Sequence, residues 1–163
     1  MTDAAPLPID VVSDVVCPWC YIGKHRIESA LALVPDVPVK LNFRPFFLNP
    51  WVPREGISRE DYLTKKFGSV EAYKGIAGRV VAAASEEGLV YRPERVARQP
   101  NTTDCHRLIL WAEANFAKEA GIDGVPCFVF GRLMAVSGAQ PPDALAQTIE
   151  RAAQEVAKRV AAE

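Results

Sequence analysis

Histidine is scarce in this chain, with 2 among 163 residues, and cysteine is limited to 4. A metal centre needs several such ligands at short spacing. Outside one cysteine pair, Cys105, His106 and Cys127 supply no second ligand pair of that kind, so no metal is expected. An excess of charge is missing too: 19 Lys and Arg face 20 Asp and Glu, a formal net charge of −1. Nothing in that balance calls for nucleic acid or another polyanionic partner. No apolar run approaches the length of a membrane span, so no membrane partner is expected. The start, Met1-Thr2-Asp3-Ala4-Ala5-Pro6, lacks a basic segment followed by an apolar one. No signal peptide is expected, and the expected compartment is the cytoplasm. There, structural disulfides are uncommon, and a close cysteine pair points to redox chemistry or metal binding. Internal repeats and low-complexity linkers are absent, and the hydrophobic share of 49% suffices for one packed core. Nothing in the sequence specifies an oligomeric state.

What is present is Cys17-Pro18-Trp19-Cys20, directly after the apolar run Val11-Val12-Ser13-Asp14-Val15-Val16. If a helix starts here, Cys17 is its N-cap and Pro18 its first residue, where the missing proline N–H costs nothing. A Cys17 thiolate would then face the free N–H groups of Trp19 and Cys20 and the positive end of the helix dipole. Both effects lower its pKa. The spacing therefore points to Cys17 as nucleophile and Cys20 as resolving thiol one turn later. Trp19 cannot be fully buried if Cys17 is reachable, and it offers a substrate an apolar contact.

The surrounding pattern reads strand–helix–strand. Ile9 to Ser13 is a short buried strand, and Pro18 to about Val34 is a helix with Ile27, Ala30, Leu31 and Val34 on one face. Val39 to Arg44 alternates as a strand and stops at Pro45. A right-handed crossover makes the two strands parallel. Ser58 and Asp61 resemble a capping box, and Val70 to Ala84 form a helical stripe ending near Gly88. Thr103 to about Ala120 reads as another helix. Cys127 to Phe130 and Leu133 to Ser137 form an antiparallel hairpin, and Pro142 to Ala161 is a final amphipathic helix. The order βαβ…ββα around a helical block is that of an α/β, thioredoxin-like fold carrying an insertion. This places the thioredoxin-like part at 1–56 and 122–163 and the helical insertion at 57–121.

Four stretches carry a family resemblance: Ser13 to Lys24 around the cysteine pair, Arg44-Pro45-Phe46-Phe47-Leu48-Asn49-Pro50, Gly124-Val125-Pro126, and Ala135 to Pro141. Together they resemble the DsbA-like thiol oxidoreductases, and within them the FrnE-like, polyketide-associated branch. The resemblance implies a redox-active Cys17–Cys20 disulfide without a further cofactor, glutathione being a candidate co-substrate. The partners it implies are protein or small-molecule thiols and disulfides. It also implies a cis bond before Pro126, which would leave the Val125 backbone open to an extended substrate. Members of the family are longer, so the helical insertion is expected to be shortened between Trp111 and Lys118.

Other residues keep two readings. Cys127 is a small buried hydrophobe or an auxiliary thiol, in the second case a partner for Cys105. His106 satisfies a local hydrogen bond or relays a proton to Cys20. Asp14 is expected to be solvated or turn-forming; if close to Cys17 it would oppose the thiolate. Phe46, Phe47 and Trp51 belong to the core or line a groove beside the motif. Two rival functions stay open: a glutathione-dependent isomerase related to 2-hydroxychromene-2-carboxylate isomerase, and a non-catalytic thiol or metal-binding scaffold. The first generally has serine at the position of Cys17.

Overall fold

The computed structural model describes residues 5–109 and 124–161. Strand β1 (Leu7–Ser13) leads into helix α1 (Pro18–Leu33), and strand β2 (Val39–Pro45) follows. Next come strand β3 (Ile57–Ser58), helices α2 (Arg59–Phe67) and α3 (Val70–Glu86), strand β4 (Arg98–Gln99) and helix α4 (Thr103–Ile109). The described chain closes with strands β5 (Cys127–Phe130) and β6 (Met134–Ser137) and helix α5 (Pro142–Val160). The expected shortening between Trp111 and Lys118 lies outside the described residues.

The main sheet has the order β2-β1-β5-β6. β1 runs parallel to β2, with Leu7 opposite Val39 and Ser13 opposite Pro45. It runs antiparallel to β5, with Ile9 opposite Phe130 and Val12 opposite Cys127. Because side chains alternate across a strand, this register sends Leu7, Ile9 and Val11 to one face. There they meet Phe128 and Phe130, Ile27 and Ala30 of α1, and Leu145 and Ile149 of α5, which together form the main core. The opposite face carries Val12 and Cys127, with Phe46 and Val125 packed on them.

The middle of the chain builds its own apolar cluster from Val52, Tyr62, Leu63, Tyr73 and Ala77. Ser58 caps α2 by accepting from the Asp61 N–H at 3.1 Å, as the capping pattern implies. Gly68, at φ +87°, ends that helix in the left-handed region, and Ser69 opens α3 by accepting from the Ala72 N–H. α3 then lays Val80 and Ala84 against Ile22 of α1, joining this block to the helix that bears the cysteines. The three-residue strand-free turn between β5 and β6 shortens the second hairpin strand by one residue relative to the expected Leu133 start.

One contact sets how closely α1 approaches the sheet. A Cβ on Gly23 would lie 3.1 Å from Pro126 Cγ and 3.3 Å from the Phe128 ring. Glycine here lets the first turns of α1 seat directly on Pro126. Gly23→Val adds bulk to a filled contact and is expected to cost about 1–3 kcal/mol. A lower urea midpoint at unchanged slope would show it.

Candidate active site

Cys17 is the N-cap of α1, with φ −88° and ψ 115°, and Pro18 occupies the first turn. Its carbonyl accepts from the Cys20 N–H at 3.1 Å, and its own N–H donates to the Asp14 carbonyl at 3.0 Å. The thiol lies at the helix terminus without a closed cap hydrogen bond. Its pKa is nevertheless lowered to about 7. The main cause is a hydrogen bond from the Cys20 thiol; burial works against it, and the N–H groups of Cys20 and Trp19 add to the lowering. Asp14 opposes the thiolate through its charge. Cys20 is pushed far up, first because its proton is engaged by Cys17 and then by burial. The helix terminus, the neighbour's proton and the nearby amides thus single out Cys17 as the group that ionises.

Asp14 is not solvated. It is 1% exposed at the turn between β1 and α1. Its Oδ1 accepts from the Val16 N–H at 3.2 Å, which keeps its turn-forming role. Its Oδ2 accepts from the Leu48 N–H at 2.8 Å and from the Thr102 hydroxyl at 3.3 Å. His106 Nε2 lies 3.3 Å from Oδ1, and the His106 ring is edge-on to Phe47. A carboxylate this buried is tolerated because donors surround it. Burial alone would raise its pKa; the contact with His106 and the two amides outweigh it, and the pKa is lowered.

The Val125–Pro126 peptide bond is cis. Pro126 is buried beneath α1, and Val125 lines a cavity together with Cys17 and Trp19. Among the described residues, the Val125 backbone makes no hydrogen bond. Cys17 forms a wall common to two cavities. One, of about 260 Å³, lies toward Asp14, Tyr21, Phe43 and His106. The other, of about 210 Å³, lies toward Trp19, Arg59, Tyr62, Lys66 and Val125. Cys127 is buried in β5, whereas Cys105 is an exposed free thiol on α4, so the two are not bonded to each other. Phe46 packs on the sheet and Trp51 stacks on Tyr62, so neither lines these cavities. Among the described residues no group of His, Cys, Asp and Glu is placed to hold a metal ion.

The sequence matches the DSBA-like thioredoxin domain family over residues 8–118, more than half of the chain. The chain belongs to that family. A solved structure of a probable DsbA oxidoreductase from Streptomyces coelicolor is 26% identical, with a TM-score of 0.78 over 90% of this chain and 89% of that one. A periplasmic thioredoxin-like protein from Salmonella enterica serovar Typhimurium also matches, at 18% identity and a TM-score of 0.44, over 91% of this chain and 86% of that one. No curated protein matches the sequence. For this DSBA-like chain, membership agrees with the mixed sheet and with the helix that opens at Cys17. No described helix is long and apolar enough to cross a membrane.

Sequence reasoning missed Arg59, Lys66, Tyr73, Tyr91 and Gln99 around the second cavity. Arg59 and Lys66 sit on an amphipathic helix, where charge reads as a solvated face. The signal available was position only: α2 follows, after β3, the loop that Asp14 anchors at Leu48.

A pKa of about 7 at Cys17 makes its alkylation by iodoacetamide rise with pH, with a midpoint near that value. Asp14→Asn removes an opposing charge, so the midpoint is expected to move lower. The depressed folded-state pKa also has a sign in stability. Relative to Cys17→Ala, the reduced protein should lose stability as pH falls through about 7, having gained it above the ordinary thiol range. A midpoint near 9 would contradict both.

Proposed function

We propose that this protein is a thiol–disulfide oxidoreductase of the FrnE-like branch, with Cys17 as nucleophile and Cys20 as resolving thiol. The observation that carries the reading is geometric: Cys17 caps the start of a helix seated on the cis-bonded Pro126, with Cys20 one turn on, an arrangement that lowers the Cys17 pKa and raises that of Cys20. A Cys17 thiolate attacks one sulfur of a substrate disulfide and expels the other as a thiolate, leaving a mixed disulfide. Forming that bond removes the negative sulfur that held the Cys20 proton. The largest cause of the raised Cys20 pKa disappears with it. Cys20 can then ionise and attack the Cys17 sulfur, closing the Cys17–Cys20 disulfide and releasing the second substrate thiol.

Val125 and Trp19 border the approach to Cys17. In this reading the Val125 backbone pairs with an extended substrate by strand addition, and Trp19 covers an apolar part of it. The couple needs no cofactor beyond its own disulfide and an external thiol or disulfide to recycle it. Because the Cys17 thiolate is stabilised, the disulfide form is oxidising. In a reducing compartment such as the cytoplasm the pair rests as a dithiol and acts as a reductase or isomerase. His106, with Nε2 3.3 Å from Asp14 Oδ1 but no aligned hydrogen bond, acts in this scheme only as a neighbour of that carboxylate.

Insulin reduction driven by dithiothreitol is expected to fall to background in Cys17→Ser; rates equal to wild type would sink the reading. Cys20→Ser should instead accumulate a stable mixed disulfide on Cys17, visible by mass spectrometry without reductant.

A further inference from the structure

The two cavities that share Cys17 differ in how their charges are satisfied. On the Asp14 side the cations are already paired: Lys24 with Glu28 at 2.5 Å, and Arg44 with Asp10 at 2.9 Å. On the other side Arg59 and Lys66 have no carboxylate within 4.0 Å among the described residues. Arg59 donates Nη1 to Gln99 Oε1 at 2.8 Å and Nη2 to the Tyr73 hydroxyl at 2.9 Å. Lys66 donates to Asn49 Oδ1 at 2.5 Å. A guanidinium offers five N–H donors and an ammonium three, so both keep donors in surplus.

A third group shows the same imbalance. Gln99 is 2% exposed, and its Nε2 has no hydrogen-bond partner. The bond from Arg59 fixes Oε1 toward the guanidinium and leaves the amide nitrogen as the open end. A buried donor left unmet costs about 1–3 kcal/mol, and Gln99 is among the residues lining the cavity that Cys17 borders. Phe67, Ile76 and Val80 supply apolar wall between. At about 210 Å³, the cavity is smaller than the roughly 300–1,000 Å³ of drug-sized sites.

We propose that this cavity is the binding site for a small disulfide that carries a carboxylate a few bonds from its sulfur. Arg59 and Lys66 take the carboxylate, which only accepts hydrogen bonds and so complements their donors; Gln99 holds the Arg59 guanidinium in place. A short apolar arm crosses the hydrophobic wall, and the sulfur reaches Cys17. This rests on the oxidoreductase reading above and names its substrate class. The reaction balances with the protein as reductant: the two Cys thiols and one disulfide R–S–S–R give the Cys17–Cys20 disulfide and two thiols R–SH. Two electrons and two protons pass to the substrate.

The test compares 3,3′-dithiodipropionate with its uncharged dimethyl ester as oxidants of the reduced protein. Each rate is divided by the rate of the same disulfide with mercaptoethanol, which removes intrinsic reactivity. The wild type should prefer the dicarboxylate by about 10-fold or more. That preference should shrink between 50 and 500 mM sodium chloride (roughly a Debye length of ~10 Å falling to a few Å). It should drop several-fold in Lys66→Gln and further in Lys66→Glu. A preference near one in the wild type, or one that neither salt nor the Lys66 variants change, overturns the site. The salt arm needs no variant, so a folding defect cannot hide the answer. If neither disulfide oxidises the wild type faster than Cys17→Ser, the oxidoreductase reading itself fails. If both do so without a charge preference, only the carboxylate site fails.

Discussion

The buried carboxylate of Asp14 is the constraint on which the site depends. It receives donors from its own turn through Val16, from the loop after β2 through Leu48, and from the segment before α4 through Thr102. His106 adds a contact from within α4. Removing a carboxylate from water costs several kcal/mol unless its lone pairs are met, so these segments are coupled: each must sit where its donor reaches the same two oxygens. The consequence is geometric. The N-cap of α1, Cys17, is the third residue after Asp14, and its N–H is held on the Asp14 carbonyl. The position of the Cys17 thiol is therefore set by the group that also opposes its ionisation.

That opposition explains why the thiol pair is arranged as it is. A negative charge beside Cys17 works against a thiolate, and burial does too. Helix-terminal amides alone face two adverse effects. The hydrogen bond from Cys20 is the largest favourable cause and turns the balance. The second thiol thus acts on the first before any reaction: while protonated, it is the main cause of the lowered Cys17 pKa. The same bond keeps Cys20 protonated while Cys17 is a thiolate, and in the proposed reaction it would set the order of the two steps.

Local physics made much of this readable in advance. Pro18 at the start of α1, the Ser58–Asp61 cap and the alternation of Val39 to Arg44 each follow from neighbours within a few residues, and each is where the pattern places it. The cysteine pair was legible for the same reason. The burial of Asp14 was not, because its partners Leu48 and Thr102 stand 34 and 88 residues away. An aspartate before a helix reads as a turn residue whether or not a distant loop later closes over it. Gln99 was equally silent. As one of two residues in β4 it signals nothing until Arg59, 40 residues earlier, is seen to claim its oxygen.

The distribution of charge about Cys17 follows from these long-range pairings rather than from composition. Net charge near zero describes the whole chain, but the thiol stands between a buried carboxylate met by several donors and two cations without carboxylate partners among the described residues. On one side an incoming anion meets Asp14 and cations that are already engaged. On the other it meets donors in surplus; burial lowers the Lys66 pKa, and the charges of Cys17 and Asp14 offset only part of that lowering. A thiolate placed between such unequal neighbours has a preferred direction of approach. Ionising Cys17 strengthens the attraction to Lys66, and an anionic substrate competes for that same cation. Binding and ionisation are therefore coupled at one site: a carboxylate taken up by Lys66 competes with the thiolate for that cation. That raises the nucleophilicity of the sulfur as it lowers the fraction ionised, because nucleophilicity rises with thiol pKa.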